Sequence, residues 1–218
     1  YDGSKYYGGP KVQKIFWCYT DSSISKKNTI ATTAWHNLQT SRNYFATKAI
    51  DYKAPLKALV HFPESPFDPF GNEVFWDQKL KHFGFGSGDD TIMTAPVSID
   101  IVAHEYAHAI LFNKFSMGNH ITHDTATLRY QAGAIHEGVA DIFSTLVRKH
   151  AFGIVDWVIG DAVVIPAQTD LLPRDLAHPE NTLPPQALYY NNTASNWDTT
   201  AQAIYNHAGI VAKWFYLL

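Results

Sequence analysis

The sequence predicts an α+β fold of two lobes, a strand-rich N-terminal lobe over residues 1–112 and a helical C-terminal lobe over residues 113–218. Short β-branched and aromatic runs, which favour strands, are concentrated before residue 98. Long runs of apolar residues at helical spacing are concentrated after it. One uninterrupted helical pattern, 98–112, stands at this change, so we expect that helix to lie between the lobes, where a cleft commonly forms.

The N-terminal lobe alternates strand signals with one helix signal. The predicted helix runs from Thr29 to about Ile50, with its apolar residues on one face and no Gly or Pro inside it. The segments that predict strands are 11–20, 56–62, 73–77 and 81–84. Three glycines then predict a tight turn: Gly84, Gly86 and Gly88.

Two further helices are predicted beyond the helix at 98–112. Ser98 is a plausible N-cap for that central helix, and Asp100 lies in its first turn, where a carboxylate suits the helix dipole. The later helices are Gly133 to about His150 and 197–218, each with a clear apolar face. The polar stretch 113–127 and the Pro- and Asp-rich stretch 152–190 predict mostly loop.

Composition limits the function classes. The 218 residues carry a net charge of −3 with no basic patch, so we expect neither nucleic acid nor an anionic membrane as partner. No apolar run reaches transmembrane length. Cys18 is the only cysteine, which excludes an internal disulfide and a cysteine zinc site. The sequence begins at Tyr1 without a signal peptide, and we expect a processed or trimmed chain.

The central helix contains the pattern His-Glu-x-x-His at residues 104–108. Residues four apart lie above one another on a helix, so His104 and His108 can reach one zinc ion. Glu105 lies beside them, where its carboxylate can take a proton from a water molecule. Two incidental histidines on a buried helix are the alternative, and that alternative predicts no further ligand.

A third ligand is available on the next predicted helix. Glu137 and Asp141 lie four residues apart on one face among apolar positions, where a carboxylate pair is costly without a cation or donor. Zinc can take Glu137, and Asp141 can accept the N–H of a ligand histidine, with His136 beside them as a second supporting residue. A third histidine ligand six residues after His108 is absent, since Lys114 occupies that position.

Residues 101–110 and 133–143 together resemble the thermolysin (M4-type) family of zinc peptidases. This resemblance implies a thermolysin-like two-lobed zincin with one catalytic zinc ion, held by His104, His108 and Glu137, and with Glu105 as general base. Further similar segments follow in the family's order: 75–86, 156–161, 173–179 and 208–218. The sequence ends where family members continue with more helices, so we expect a minimal or C-terminally truncated member.

The oxyanion side departs from the family pattern. The family has a histidine before its late helix that stabilises the tetrahedral intermediate, and the matching position here is Tyr205. A tyrosine hydroxyl can donate a hydrogen bond to an oxyanion, and His207 could also serve if the loop shifts. Tyr130 resembles the family's second oxyanion donor at a shorter spacing from Glu137.

The resemblance also implies substrate-binding positions. Arg174 would bind a substrate carbonyl, and Ile101 and Ile159 are candidates for a pocket accepting a hydrophobic side chain after the cleaved bond. Glu73 and Val74 stand where the family's edge strand has Asn-Ala. Backbone pairing with an extended substrate survives that change, while an acid at residue 73 favours basic or amine-bearing substrates.

Calcium is a further departure. Asp100, Asp156 and Asp161 resemble three acidic calcium ligands of the family, but the fourth position is Arg148. A guanidinium among three carboxylates can replace the ion, so we predict no calcium there. The insertion after the central helix contains His120, His123 and Asp124, for which a polar loop is a better interpretation than a second metal site.

These features predict a zinc metalloendopeptidase acting on peptides or proteins, monomeric and, by analogy with the family, secreted or extracytoplasmic. An aminopeptidase of the same broad group is the second enzyme hypothesis, although its Gly-x-Met-Glu-Asn strand motif is absent. The alternative from another class is a zinc-binding pseudoenzyme or interaction module with weak or no peptidase activity.

Overall fold

The computed structural model describes the backbone of residues 16–18, 29–50, 52–61, 71–115, 126–165, 174–182, 185–189 and 201–218. The four helices of these ranges are α1 (Thr29–Thr47), α2 (Ile99–Lys114), α3 (Ala126–Phe152) and α4 (Ala201–Tyr216). The strands are β1 (Phe16–Cys18), β2 (Ala58–Val60), β3 (Val74–Asp77), β4 (His82–Phe85), β5 (Val158–Ile159) and β6 (Arg174–Asp175). Strands precede α2 and helices dominate after it, so the α+β prediction is confirmed. The boundary between lobes at residue 112 stays a prediction.

The N-terminal strands form one sheet in the order β1-β2-β4-β3. The β1–β2 and β3–β4 pairs are antiparallel, and the β2–β4 pair is parallel. β3 lies at an edge of the described sheet. In its ladder Gly86 N donates to the carbonyl of Glu73 at 2.9 Å, and Phe75 is paired with Gly84. Strand residues alternate in hydrogen-bonding direction, so the backbone groups of Val74 and Trp76 face the open edge.

The β3–β4 connection corrects two sequence predictions. β4 begins at His82, because Lys81 has a positive φ of 56° and belongs to the turn, where Asp77 Oδ1 accepts the N–H groups of Lys79 and Leu80 at 2.8 Å. Gly84 is part of β4 rather than of a turn. A Cβ there would collide with the ring of Phe75, so glycine is required by that close approach.

α2 is anchored through the face opposite its histidines. Tyr106 is fully buried and packs on Phe45 of α1 and Phe83 of β4, with ring centroids 5.4 and 6.0 Å apart. Tyr106 is two residues from His104, and two residues correspond to a rotation of about 200° around the helix axis. The packing of Tyr106 therefore directs the histidines away from the sheet. Ser98 is the N-cap residue of α2, as predicted, but its hydroxyl makes no side-chain capping hydrogen bond.

α3 and α4 pack closely because glycines face the contact. A Cβ at Gly138 would lie 2.6 Å from Val211 Cβ, and one at Gly133 would lie 2.9 Å from Ile204 Cδ1. α3 begins at Ala126, seven residues before the predicted start. α4 covers Ala201–Tyr216 of the helix predicted over 197–218, and residues 197–200 lie outside the described residues. The close contact brings the first turns of α4 over the middle of α3.

The stretch predicted as loop over 152–190 contains β5, β6 and a 3-10 turn, Pro179–Asn181. β5 pairs antiparallel with β6, which fixes Arg174 opposite Ile159. The insertion residues 116–125, including His120, His123 and Asp124, lie outside the described residues. Among described residues no helix has both the length and the apolar character to cross a bilayer.

Candidate active site

A cleft of about 530 Å³ lies between the edge strand and the helices. It is bounded by β3, by α2 and α3, by Arg174 of β6 and by the start of α4. Nine of the residues predicted for the site line this cleft: Val74, Ile101, His104, Glu105, His108, His136, Glu137, Arg174 and Tyr205. The elements predicted to carry the site therefore converge on one cavity.

The His-Glu-x-x-His turn presents its three side chains together. The imidazole centroids of His104 and His108 are 4.5 Å apart, and one donor atom from each of these residues and from Glu105 lies within 4.8 Å of the others. All three are buried. Such a set can hold a metal ion, or can leave the carboxylate beside the ion as a base.

Glu137 reaches both histidines from α3. Its Oε2 lies 3.2 Å from His104 Nε2, and its Oε1 lies 3.4 Å from His108 Nε2. Burial raises the pKa of Glu137, but the two neighbouring histidines hold that pKa well below its ordinary value. Two imidazoles and one ionised carboxylate converging on one point are a donor set suited to zinc. The residues present therefore fit the ion that the sequence predicted.

Asp141 contacts the Nδ1 side of the His104 imidazole. Its Oδ1 lies 2.8 Å from His104 Nδ1, and Asp141 is 1% exposed. Burial and Arg174 lower the pKa of His104, but the contacts with Asp141 and Glu137 outweigh them and raise it to about 9. Because Asp141 takes the Nδ1 side, Nε2 is the nitrogen that faces the cleft.

Arg174 contacts this same group of side chains. Its Nη1 lies 3.2 Å from Asp141 Oδ1 and 3.6 Å from Glu137 Oε2, and its Nη2 lies 3.4 Å from His104 Nδ1. Burial lowers the pKa of Arg174, but Asp141 and Glu137 outweigh it and raise that pKa. The guanidinium is thus a fixed positive charge at the cleft wall.

Of the three candidate oxyanion donors, only Tyr205 lines the cleft. Both Tyr205 and His207 belong to α4 rather than to a loop, and two residues on a helix point in nearly opposite directions. Tyr205 is 47% exposed, whereas His207 is buried and does not line the cleft. Glu137 first, and then burial, raise the pKa of Tyr205, so its hydroxyl keeps its proton. Tyr130 is half-buried in the second turn of α3 and is also outside the lining.

The predicted substrate-binding residues divide in the same way. Ile101 and Val74 line the cleft. Ile159 is buried in a small separate cluster with Leu176 and Ala212, packed against Trp157, and does not reach the lining. Glu73 is not a lining residue either, whereas the three residues that follow it in β3 all line the cleft.

Several lining residues were not among the predicted site residues, and Phe112 and Asn72 are two of them. Phe112 follows His108 by four residues, so helical spacing could have placed it on the same face. Asn72 precedes β3, and its Nδ2 donates to Asp89 Oδ2 at 3.1 Å. No local pattern marks Asn72, since its position depends on the turn that brings Asp89 back to it.

His136 lies close to both His108 and Glu137. Its ring is parallel to that of His108, with an interplanar angle of 2° and centroids 4.5 Å apart. Phe112 packs on it at 4.6 Å. Burial, and then the charge of His108, lower the pKa of His136 to about 3. One donor atom each of His108, His136 and Glu137 lies within 4.8 Å of the others.

Arg148 forms ion pairs with the three carboxylates that resemble the family's calcium ligands. Its Nη2 lies 2.8 Å from Asp156 Oδ2, and its Nη1 lies 2.9 Å from Asp161 Oδ1 and 3.8 Å from Asp100 Oδ2. Nη1 also donates to the carbonyl of Val158 at 2.9 Å. Burial lowers the pKa of Arg148, but Asp161, Asp100 and Asp156 outweigh it and raise that pKa. One positive charge therefore already offsets part of the negative charge of these three carboxylates. The absence of calcium stays a prediction.

Two family models match the chain. The model described as "Thermolysin metallopeptidase, catalytic domain" matches residues 12–111, and the model described as "Thermolysin metallopeptidase, alpha-helical domain" matches residues 126–218. Together the two matches include both histidines of the central helix and Glu137.

Curated relatives and a solved structure are similar to the chain. Bacillolysin of Bacillus cereus is 28% identical over 191 residues, which are 81% of this chain and 30% of that protein. Thermolysin of Alicyclobacillus acidocaldarius subsp. acidocaldarius is 30% identical over 169 residues, 76% of this chain and 27% of the relative. The chain thus spans less than a third of the length of these two relatives.

The precursor of protealysin, a metalloproteinase from Serratia proteamaculans, has a similar structure. The TM-score is 0.71 at 21% identity, over 90% of this chain and 61% of that one. At this identity the likeness establishes the fold alone.

Proposed function

We propose that this chain, which belongs to the thermolysin family of metallopeptidases, is a zinc-dependent endopeptidase that cleaves peptide bonds with Glu105 as general base. The observation that carries the proposal is the convergence of His104, His108 and Glu137 beside Glu105 in a cleft open along β3. Two imidazoles and a carboxylate leave a coordination position free for substrate or solvent, as catalytic zinc sites require.

His104, His108 and Glu137 would hold the zinc ion. Zinc, when bound, polarises a carbonyl as a Lewis acid and lowers the pKa of a water molecule toward about 7. Asp141 lies on the Nδ1 side of His104, so Nε2 would be left to bind the ion, and the carboxylate would increase the basicity of that imidazole. Arg174 limits the negative charge accumulated by the two nearby carboxylates.

Glu105 carries the proton transfer. Its carboxylate lies next to the ligand histidines and is buried, so it can accept a proton from the attacking water and pass it to the leaving amine. It is placed for this by helix α2 and not by a mobile loop. The charge that develops on the substrate oxygen then needs a hydrogen-bond donor on the opposite wall.

Tyr205 is the donor that the cleft offers. Its hydroxyl remains protonated because the nearby carboxylates and burial raise its pKa, so it can donate a hydrogen bond throughout the neutral range. The buried position of His207 outside the lining favours Tyr205 over it. Arg174 would hold a substrate carbonyl with the part of its guanidinium that Asp141 does not engage.

The open edge of β3 supports binding of an extended peptide. The backbone groups of Val74 and Trp76 face this edge, and both residues line the cleft. A substrate strand can therefore add to the sheet by backbone hydrogen bonds. Apolar lining residues, among them Ile101, Phe112 and Ile204, favour a hydrophobic side chain; we place that side chain after the cleaved bond by resemblance to the family.

The family also supports an extracytoplasmic role, since one relative is named an extracellular metalloprotease. The substrate class would be peptides and proteins, and the chain would act as a monomer. Calcium would not be required at the site of Arg148, because its guanidinium occupies the centre of the three carboxylates.

An internally quenched peptide with a hydrophobic residue after the target bond tests this function. We expect hydrolysis by the zinc-loaded chain, loss of hydrolysis with 1,10-phenanthroline, and recovery when zinc is returned. Peptides with blocked amino termini should be cleaved equally well, since an endopeptidase does not read a free amine. Zinc binding without any cleavage would instead indicate a pseudoenzyme.

A further inference from the structure

His136 has a buried nitrogen with no partner in the part of the chain that the structure describes. The side chain is 3% exposed, and its Nε2 accepts or donates no hydrogen bond there. A buried polar atom without a partner is uncommon, because its lost hydration is not replaced. The ring of His108 stacks on that of His136. Its Nδ1 is also buried and has no hydrogen-bond partner among the described residues.

Both imidazoles belong to the wall of the cleft and lie beside the carboxylate of Glu137. One nitrogen of His108, one of His136 and one oxygen of Glu137 fall within 4.8 Å of one another. These are the donor types that zinc and neighbouring divalent transition metals prefer. His136 is also adjacent to Glu137 in α3, so one rigid helix supplies two of the three donors.

We propose that His108, His136 and Glu137 form a second coordination set for a divalent transition-metal ion such as zinc, overlapping the set of His104, His108 and Glu137. The two sets share His108 and Glu137. A single ion can therefore be held by this shared pair together with either His104 or His136. The proposal rests on the proposed function only through those shared ligands.

Use of the second set requires a side-chain rotation. An imidazole binds a metal in the plane of its ring, and the rings of His108 and His136 are parallel. One ring must therefore turn about its Cβ–Cγ bond before both nitrogens point at one ion. The environment of an ion in this set differs from that in the first set, which makes the two distinguishable by the visible absorption of Co²⁺.

The test measures metal binding rather than activity. The variants are His104→Ala, the double variant His104→Ala/His136→Ala and the matched control His104→Ala/His178→Ala, in which the second histidine is exposed. Each folded chain is titrated with Zn²⁺ by competition and with Co²⁺ by absorption, and bound metal is counted by mass spectrometry. His104→Gln and His136→Gln replace the alanine variants if circular dichroism shows loss of fold.

We expect His104→Ala and the His178 control to keep one ion per chain, with a Co²⁺ spectrum different from that of the unaltered chain. Removal of His136 as well should weaken binding at least about tenfold further. Equal affinities for the two double variants would overturn the proposal. An unaltered chain that binds zinc and cleaves peptide would still support the proposed function in that case, whereas failure of the unaltered chain to bind zinc would overturn both.

Discussion

His104 Nδ1 lies 2.8 Å from Asp141 Oδ1, while His104 Nε2 lies 3.2 Å from Glu137 Oε2. The two carboxylates come from one face of α3, four residues apart, and they engage opposite nitrogens of one imidazole. This arrangement fixes the orientation of His104 before any ion is bound. It predicts that Asp141 acts on metal affinity although it does not face the ion.

Asp141→Asn should weaken zinc binding by about 10- to 100-fold, because an amide cannot strengthen the basicity of His104 as a carboxylate does. Competition with a chromophoric chelator gives the dissociation constant. Asp90→Asn, an exposed change in a surface turn, is the matched control and should leave it unchanged. Equal zinc affinity for Asp141→Asn and the control would contradict the role given to Asp141.

Tyr205→Phe should lower kcat by about 10- to 1,000-fold with little change in KM, because the hydroxyl would act on the oxyanion and not on the bound substrate. Steady-state kinetics on the quenched peptide separate the two constants. His207→Gln provides the comparison, and we expect a much smaller change in its kcat. A larger fall in kcat for His207→Gln than for Tyr205→Phe would assign the oxyanion role to His207.

Arg148→Asp should make stability depend on calcium. The substitution removes the central positive charge and leaves four carboxylates together, so the free energy of unfolding should fall by about 1–3 kcal/mol without added ions. Calcium should restore the melting temperature of this variant and have no such effect on the unaltered chain, with magnesium as control. Calcium stabilisation of the unaltered chain would contradict the replacement of the ion by Arg148.

Asp89 should make a pH-dependent contribution to stability. Its Oδ1 accepts the backbone N–H groups of Thr91, Ile92 and Met93, and Asn72 donates to its other oxygen. Desolvation raises the pKa of Asp89, but these hydrogen bonds outweigh it and hold the pKa well below its ordinary value of 3.8. A lowered folded-state pKa means that the stabilisation is fully present above the unfolded-state pKa and is lost as pH falls toward the folded-state pKa.

Asp89→Asn should therefore unfold at lower denaturant concentration than the unaltered chain at pH 7, and the difference should shrink as pH falls below about 4. Urea unfolding at pH 7 and at pH 3 measures this change. Asp90→Asn is again the control. A difference that grows at acid pH would have the wrong sign for a carboxylate stabilised in its charged form.

Helical spacing explains why the candidate metal-binding residues could be predicted from the sequence. His104, His108, Glu137 and Asp141 occur as two pairs four residues apart, and that period puts each pair on one face regardless of the rest of the fold. The meeting of the two faces depends on the direct packing of α3 on α2, which no local pattern specifies.

The residues that sequence misplaced depend on tertiary packing or on an exact register. Ile159 was expected in the substrate pocket, but the short β5–β6 pair directs it into a separate core. The predicted helix places Tyr205 and His207 on nearly opposite faces, but which of the two faces meets the cleft depends on how α4 packs on α3. Asn72 reaches the cleft through a long-range contact with Asp89, and the sequence around it gave no signal.

The most direct test of the account is the turnover number and zinc content of Glu105→Gln. The amide is close in shape to the carboxylate but cannot accept a proton, so we expect kcat on the quenched peptide to fall at least about 100-fold. Bound zinc should remain at one ion per chain, because His104, His108 and Glu137 are unchanged. Full hydrolysis by this zinc-loaded variant would contradict the assignment of Glu105 as the general base.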